Sequence, residues 1–531
     1  MRHVFHAAKV LAAAVWLSGC VATAPVVESN GAYAPVISKE GEGDLLVRVV
    51  NVQKINEFNP KWEKLVVKET STGQLIHIDD TAPAVAGYSL FAGSIPQGQY
   101  EFVGFRNEGS QSAVGGFFVS ALLQEMSKAG ANVQTSPSTF AVKPGAVTNL
   151  GTIVSALPET PGGGMKLAIL ADQANRESAL ADLAPSTRAR LSSKTALGWN
   201  SEPDPRIASQ DLSAIRPYVR SPSPLEVTSD GRLMIGSPLG LVHIRSTSGQ
   251  WSTMSTGSLD TITVVRALKG GNLVAGADTG RYFVWSARDT TWNAYRAADG
   301  DRIVQIEPMG DLGYAILVES RTRNVPKKTS IRVLFKERLD ASTEAKELMQ
   351  SEVRSTMNGT MFFDGQELFA YLNLSGMVRT SNVLRFNPRT GEQSSQTENF
   401  WAKSFYRLSD GTVARERFNG TSFYTDFSND GKTWQKDGRL TPSAARFLDR
   451  QSAYGITLRS MGWSTSTFVL SKTTNGGSSW ENVGSNFELS KIDAVRVVGQ
   501  RMYVHTGKEL LSSQDEGKTW NVEWPASAAS P

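Results

Sequence analysis

Two arginines spaced two apart, in Arg415-Glu416-Arg417, are the residues of this chain best suited to grip a ligand. Their surroundings read as a strand, where residues i and i+2 share one face. Such a pair can offer a guanidinium fork to a carboxylate, or it can face solvent. Arg216, in Ile215-Arg216-Pro217, has no identifiable partners and reads as a surface residue. His77, His243 and His505 are each isolated in sequence, and a lone histidine is more often a surface or satisfied core residue than a ligand. Asp299-Gly300-Asp301 fits a turn, because its spacing matches no calcium loop. Asn475-Gly476-Gly477 is likewise a turn, since no helix follows to receive a phosphate. No serine stands in a Gly-x-Ser-x-Gly elbow. These residues form no complete catalytic set, so no enzyme, cofactor or metal site is expected.

The single cysteine, Cys20, carries the most specific chemistry. A charged start (Arg2, Lys9), an apolar run from Val10 to Leu17 and small residues before Cys20 have the layout of a secretory signal. That run is too short to span a bilayer, which takes about 20 residues. Leu17-Ser18-Gly19-Cys20 resembles the bacterial lipobox. The resemblance implies a lipoprotein signal peptide over 1–19, cleavage before Cys20, and acylation of its thiol by chains such as palmitate. In many proteobacteria an aspartate after the lipidated cysteine retains the protein at the inner membrane. Val21 stands there, which implies the outer membrane and leaves the side, periplasmic or outer, open. An acylated Cys20 leaves no thiol for a disulfide, a zinc-thiolate site or a nucleophile.

Cleavage would remove Arg2 and Lys9 and lower the formal charge from +4 to +2. Without a basic surplus to displace counterions from phosphates, nucleic acid is not an expected partner.

Composition and pattern divide the remainder. Residues 20–43 are small, polar and aperiodic, and read as a flexible tether. Over 44–157, runs such as Leu45–Val52, Lys64–Lys68 and Gln74–Ile78 alternate or are β-branched between polar turns. Pro96-Gln97-Gly98 and Pro144-Gly145 mark turns that feed strands. This is the pattern of a β-sandwich, and it resembles the transthyretin-like or carboxypeptidase-regulatory modules of bacterial lipoproteins. One stretch, Val119–Ser127, reads as a short helix. Pro158–Gly164, with two prolines and three glycines, sustains neither helix nor ladder. The Ala- and Leu-rich segment after it is broken at Pro185, so 158–200 is expected to be a hinge and helical connector.

From 201 to 525 the chain is strand-rich and repetitive. Ser513-Gln514-Asp515-Glu516-Gly517-Lys518-Thr519-Trp520 has a second copy in Thr473–Trp480 and a third in Phe427–Trp434. These resemble the Asp-box of sialidase-like and other BNR-repeat β-propellers. The aligned positions are Asn429, Gly431 and Trp434; Asn475, Gly477 and Trp480; and Asp515, Gly517 and Trp520. An Asx side chain accepts backbone N–H groups across a tight turn, glycine takes the positive φ, and tryptophan packs beneath. The box is thus a structural device. Weaker turns end at Trp251 and Trp292, another lies at Pro388–Gly391, and space for one more follows Ile331–Arg338. Seven units from Trp251 to Trp520 average about 45 residues, the length of a four-stranded blade.

The fold expected is therefore all-β: an N-terminal sandwich, then a propeller, seven-bladed by spacing. The group of Asp-box propellers includes photosystem assembly factors and sortilin-type receptors. The resemblance implies a lipid-anchored outer-membrane protein whose propeller is a non-catalytic scaffold for a protein or glycan partner. The alternative is a sialidase-like, glycan-active hydrolase. It would need three arginines and an acid/tyrosine cluster converging on the propeller axis.

Overall fold

The computed structural model describes residues 40–52, 62–82, 87–106, 139–156, 166–183, 185–200, 212, 215–216, 219, 223–228, 230–298, 301–321, 329–353, 359–374, 379–435, 440–461, 466–489, 495–506 and 509–524. Cys20, Pro158–Gly164, Val119–Ser127 and Asp299 lie outside them.

The first unit is a sandwich of two sheets. Its strands are β1 (Glu42–Asn51), β2 (Lys64–Glu69), β3 (Leu75–Asp79), β4 (Tyr88–Pro96), β5 (Gly98–Arg106), β6 (Thr139–Val142) and β7 (Ala146–Ala156), then β8 (Lys166–Leu170), α1 (Gln173–Ala181), α2 (Pro185–Ser192) and β9 (Thr195–Leu197). One sheet has the order β4-β1-β7-β8, with β9 also on β7, and the other β3-β2-β5-β6. Strand β1 reads as a nearly unbroken apolar run because both of its faces are covered. Leu45, Val47 and Val49 join Leu65, Phe91 and Phe140 between the sheets. Leu46 and Val50 point the other way, into a cluster with Ala179, Leu191 and the propeller residues Leu239 and Leu241.

The expected connector belongs to this unit. Lys166–Leu170 pairs antiparallel with β7, and Thr195–Leu197 pairs parallel with it. Trp199 is buried edge-on against Phe140. The Ala/Leu-rich composition suggested helix throughout, but Leu167-Ala168-Ile169-Leu170 meets the open edge of β7 and is taken up as strand. The two helical pieces do form, divided at Pro185, with Pro185 at the first helical position. Asp172 caps α1 by accepting from the Asn175 N–H at 3.0 Å.

The second unit is a β-propeller. Among the described residues it has seven four-stranded sheets, each made of consecutive antiparallel strands. They cover 226–255, 262–296, 302–353, 359–398, 401–441, 443–489 and 496–524 and are called sheets 1 to 7. Each packs on the next through its own apolar cluster. Met234 of sheet 1 meets Ile262 and Phe283 of sheet 2, for example. The ring closes where Tyr503, Leu510 and Trp524 of sheet 7 meet Leu233 and Ile235 of sheet 1. Among the described residues no strand is exchanged at the closure. Side chains do the work: Arg245 pairs with Glu523 at 2.5 Å, and His243 lies 4.8 Å from the Trp524 ring. Gly236 and Gly276 occupy equivalent second strands, where a Cβ would collide with Ile262 and Ile303 of the next sheet.

In such a meander the turns joining strands 1–2 and 3–4 emerge at one end and the 2–3 turns and inter-sheet links at the other. The sandwich docks on the latter end, against the 2–3 turn residue Leu239 and the link residue Asp260. The Trp251, Trp292, Pro388–Gly391, Trp434, Trp480 and Trp520 turns all join strands 3 and 4 of their sheets.

Candidate functional site

The turn chemistry at the repeats is explicit. Asp515 Oδ1 accepts from the Thr519 N–H at 2.9 Å and Oδ2 from the Thr519 hydroxyl at 2.7 Å, while Ser513 Oγ accepts from the Gly517 N–H at 2.8 Å. These bonds hold the Asp515 carboxyl down to about 2, led by the Thr519 N–H. Asn475 repeats the pattern, accepting from the Ser479 N–H at 3.1 Å and donating to the Ser479 hydroxyl at 2.8 Å. The third copy requires a correction. Asp430, not Asn429, accepts from the Lys432 and Thr433 N–H groups, at 2.8 and 2.7 Å. Its turn is one residue shorter, so an ungapped alignment misplaced the acceptor; Asn429 instead accepts from Arg450. Gly431, Gly477 and Gly517 all have positive φ. Trp434, Trp480 and Trp520 are half-buried and pack into apolar clusters of their sheets.

The arginines of Arg415-Glu416-Arg417 share a face, as their spacing required, but they do not offer a free fork. Both grip Asp426, Arg415 at 2.9 Å and Arg417 at 2.8 Å. Arg415 is fully buried, donates to Tyr371 Oη at 3.2 Å and lies 4.1 Å from the Trp434 ring centre. Arg216 is exposed. Asp301 is ion-paired with Arg332. His243 sits between the Ser237 and Thr253 hydroxyls at 2.8 and 2.9 Å, and burial pushes its ring down to about 4, which keeps it neutral. His505 is buried and His77 lies on β3. Among the described residues, no group of three or more His, Cys, Asp or Glu side chains has metal-binding geometry. No helix among them is long and apolar enough to cross a membrane.

Two charge clusters emerge that short-range motifs did not reveal. The first joins sandwich to propeller. Arg48 of β1 reaches Asp182, just beyond α1, at 2.9 Å and Asp260 at 2.8 Å. Arg281 of sheet 2 holds the same two carboxylates at 2.7 and 3.3 Å. Burial alone would lower the Arg48 pKa; the Asp182 and Asp260 charges outweigh it and raise it. Next to them, Asp278 accepts from Gly87 N–H of the sandwich at 2.5 Å and from Thr261 N–H at 3.1 Å, and burial pushes its carboxyl up to about 6.

The second cluster lines the propeller axis, where the innermost strands of the sheets end at their 1–2 turns. Arg266 (sheet 2) pairs with Glu226 (sheet 1) and donates to the Ile306 carbonyl of sheet 3 at 3.2 Å. Glu307 of sheet 3 accepts from the Phe363 N–H of sheet 4 at 3.3 Å. Across the axis, Tyr406 of sheet 5 accepts from the Phe447 N–H of sheet 6 at 3.0 Å. The Arg446 guanidinium stacks 3.5 Å above the Tyr406 ring. Glu416, on the opposite face of its strand from Arg415, accepts from the Ser404 hydroxyl at 3.2 Å. Burial, then the neighbouring Arg496 charge, depresses the Arg446 pKa well below the arginine range. Burial likewise pushes the Tyr406 hydroxyl up to about 12, so it stays protonated.

The chain matches no family model and no curated protein. Among solved structures it is similar to the β-propeller domain of the Trilobed protease from Pyrococcus furiosus, at 12% identity over 56% of this chain and 97% of that one, with TM-score 0.34. It is also similar to BamB from Moraxella catarrhalis, at 14% identity over 55% and 97% with TM-score 0.30. A third is a PL25 ulvan lyase, at 10% identity over 56% and 93% with TM-score 0.32. These likenesses carry no argument about function; the seven consecutive four-stranded sheets among the described residues make the chain an all-β protein carrying a β-propeller.

Proposed function

We propose that this chain is a lipid-anchored, non-catalytic scaffold of the bacterial outer membrane, whose propeller binds a protein or glycan partner. One observation carries the scaffold reading: the sandwich is fastened to one end of the propeller by buried ion pairs and a shared apolar cluster. A unit fixed at that end presents the other, with its 1–2 and 3–4 turns, in a set orientation toward a partner. Acylated Cys20 and the tether up to Glu42 attach the sandwich to the membrane in this reading, and the 3–4 turns are BNR-type Asp-boxes of seven blades. Engagement of both Arg415 and Arg417 by Asp426 supports the absence of catalysis, because neither offers a free fork to a substrate carboxylate.

Crosslinking in native membranes followed by purification tests the scaffold, and a chain that crosslinks to nothing defeats it. Detergent fractionation of Cys20→Ser tests the anchor. The variant is expected to leave the membrane fraction, and its retention there means that another anchor exists.

The hydrolase reading keeps one supporting observation, the gathering of Arg266, Arg446, Arg496, Tyr406 and Glu416 near the axis. Against it, Arg266 is taken by Glu226 and the Tyr406 hydroxyl is held protonated, the wrong state for a nucleophile. A fluorogenic glycoside panel decides. Turnover that disappears in Tyr406→Phe would make the protein an enzyme.

A further inference from the structure

We infer that the turn-bearing end of the propeller axis holds a binding site for a carboxylate, gripped by the Arg446 guanidinium and the Tyr406 hydroxyl. The inference deepens the scaffold reading by naming the chemistry that the propeller recognises, and it rests on that reading for its biological setting.

Two donors here lack acceptors. Tyr406 is 5% exposed, and its oxygen accepts from Phe447 N–H, which leaves the hydroxyl proton without an acceptor among the described residues. Arg446, stacked on that same ring, has no hydrogen bond or ion pair among them. Glu226 and Glu416 attract its charge without bonding to it: Glu226 pairs with Arg266, and Glu416 accepts from the Ser404 hydroxyl. A nearly buried hydroxyl proton without an acceptor and a half-buried guanidinium without a hydrogen-bonded partner leave donors that a ligand can satisfy.

One anion satisfies both groups. A carboxylate has two oxygens, one for a guanidinium N–H and one for the phenol proton. The nearby Glu226 and Glu416 favour a monoanion over a dianionic phosphate, whose second charge they would repel. The stacking fixes the plane of the guanidinium against the ring, so less side-chain freedom is lost on binding.

The test is calorimetric titration of the full-length protein in detergent. Two carboxylate probes separate possible sources, D-galacturonate for an acidic sugar and N-acetylglutamate for a peptide side chain; D-galactose and inorganic sulfate serve as controls. Binding is expected for at least one carboxylate, with galactose and sulfate much weaker. Arg446→Met should weaken it about tenfold or more and Tyr406→Phe several-fold, as expected for a charged and a neutral donor. Arg446→Lys, which keeps the charge but loses the fork, should fall between wild type and methionine. Binding of neither carboxylate, equal binding of sulfate, or affinity unchanged in folded Arg446→Met or Arg446→Lys overturns the site. A protein that binds a probe yet crosslinks to no membrane partner loses the scaffold reading and keeps the site. One that crosslinks normally and binds neither probe keeps the scaffold and loses the site.

Discussion

Arg48 and Arg446 are both enclosed guanidiniums, one where the sandwich meets the propeller and one on the propeller axis. They differ in compensation. Arg48 faces two carboxylates that Arg281 shares, and an aromatic ring, Tyr88, lies 4.7 Å from its centre. Arg446 has the ring but no direct ion pair; Glu226 and Glu416 act on it without bonding to it. A charge matched within the fold serves the fold, and removing one partner strands the other. A charge held in no direct ion pair contributes less to the fold and stays available to something that arrives later.

The largest effect expected from that contrast is on Arg48. Arg48→Met leaves Asp182 and Asp260 buried with Arg281 alone, and breaking a buried pair in this way typically costs about 3–5 kcal/mol. Urea denaturation should show it, and a loss equal to that of Arg446→Met would break the comparison.

Acid should produce the next effect, at the ring closure. Folded His243 stays neutral down to about 4, whereas an unfolded histidine protonates near 6.5. The stability that this neutral ring contributes is present above 6.5 and is lost as pH falls from there to about 4, by roughly 3 kcal/mol at most. Asp278 acts in the opposite direction. Its folded carboxyl titrates near 6 against 3.8 unfolded, so stability falls as pH rises through that interval. Unfolding measured against pH in wild type and His243→Gln should show the histidine contribution vanish in the variant.

Smaller effects sharpen the account of the turns. Asp430→Ala is expected to lower the melting temperature measurably, because two N–H groups lose their acceptor, while Asn429→Ala should leave it nearly unchanged. Thermal melts that reversed this order would restore Asn429 as the acceptor. Smallest of all, Arg446→Met should change stability by less than about 1 kcal/mol, since it breaks no direct ion pair.

The repeat was legible because each turn is built from neighbours in sequence. Ser513, Asp515, Gly517 and Thr519 bond to one another, so their chemistry is written locally. The same locality explains the slip at Asn429, where a one-residue deletion moved the acceptor without disturbing Gly431 or Trp434. A further local signal was available and missed. Leu233-Met234-Ile235-Gly236 and Leu273-Val274-Ala275-Gly276 are equivalent strands whose glycines admit the neighbouring isoleucine. The charge clusters could not be read in this way. Arg48 and Asp260 are 212 residues apart, and the axis gathers side chains from separate sheets. No periodicity along the chain encodes such meetings. The connector failed for another reason: Lys166–Leu170 takes its conformation from an edge offered by β7, which composition does not report.

The absence of an exchanged strand has a consequence for synthesis. Among the described residues every sheet of the propeller pairs only strands that follow one another, so each can complete its backbone hydrogen bonding as it leaves the ribosome, without waiting for the C-terminus. The sandwich differs: β1 lies parallel to β7, so it must wait for about a hundred residues to be made. Sheets 1 and 2 emerge after the sandwich and carry Asp260 and Arg281, the groups that compensate Arg48. Until then Asp182 alone can offset the Arg48 charge, and the sandwich reaches its final stability only when the first two sheets dock on it.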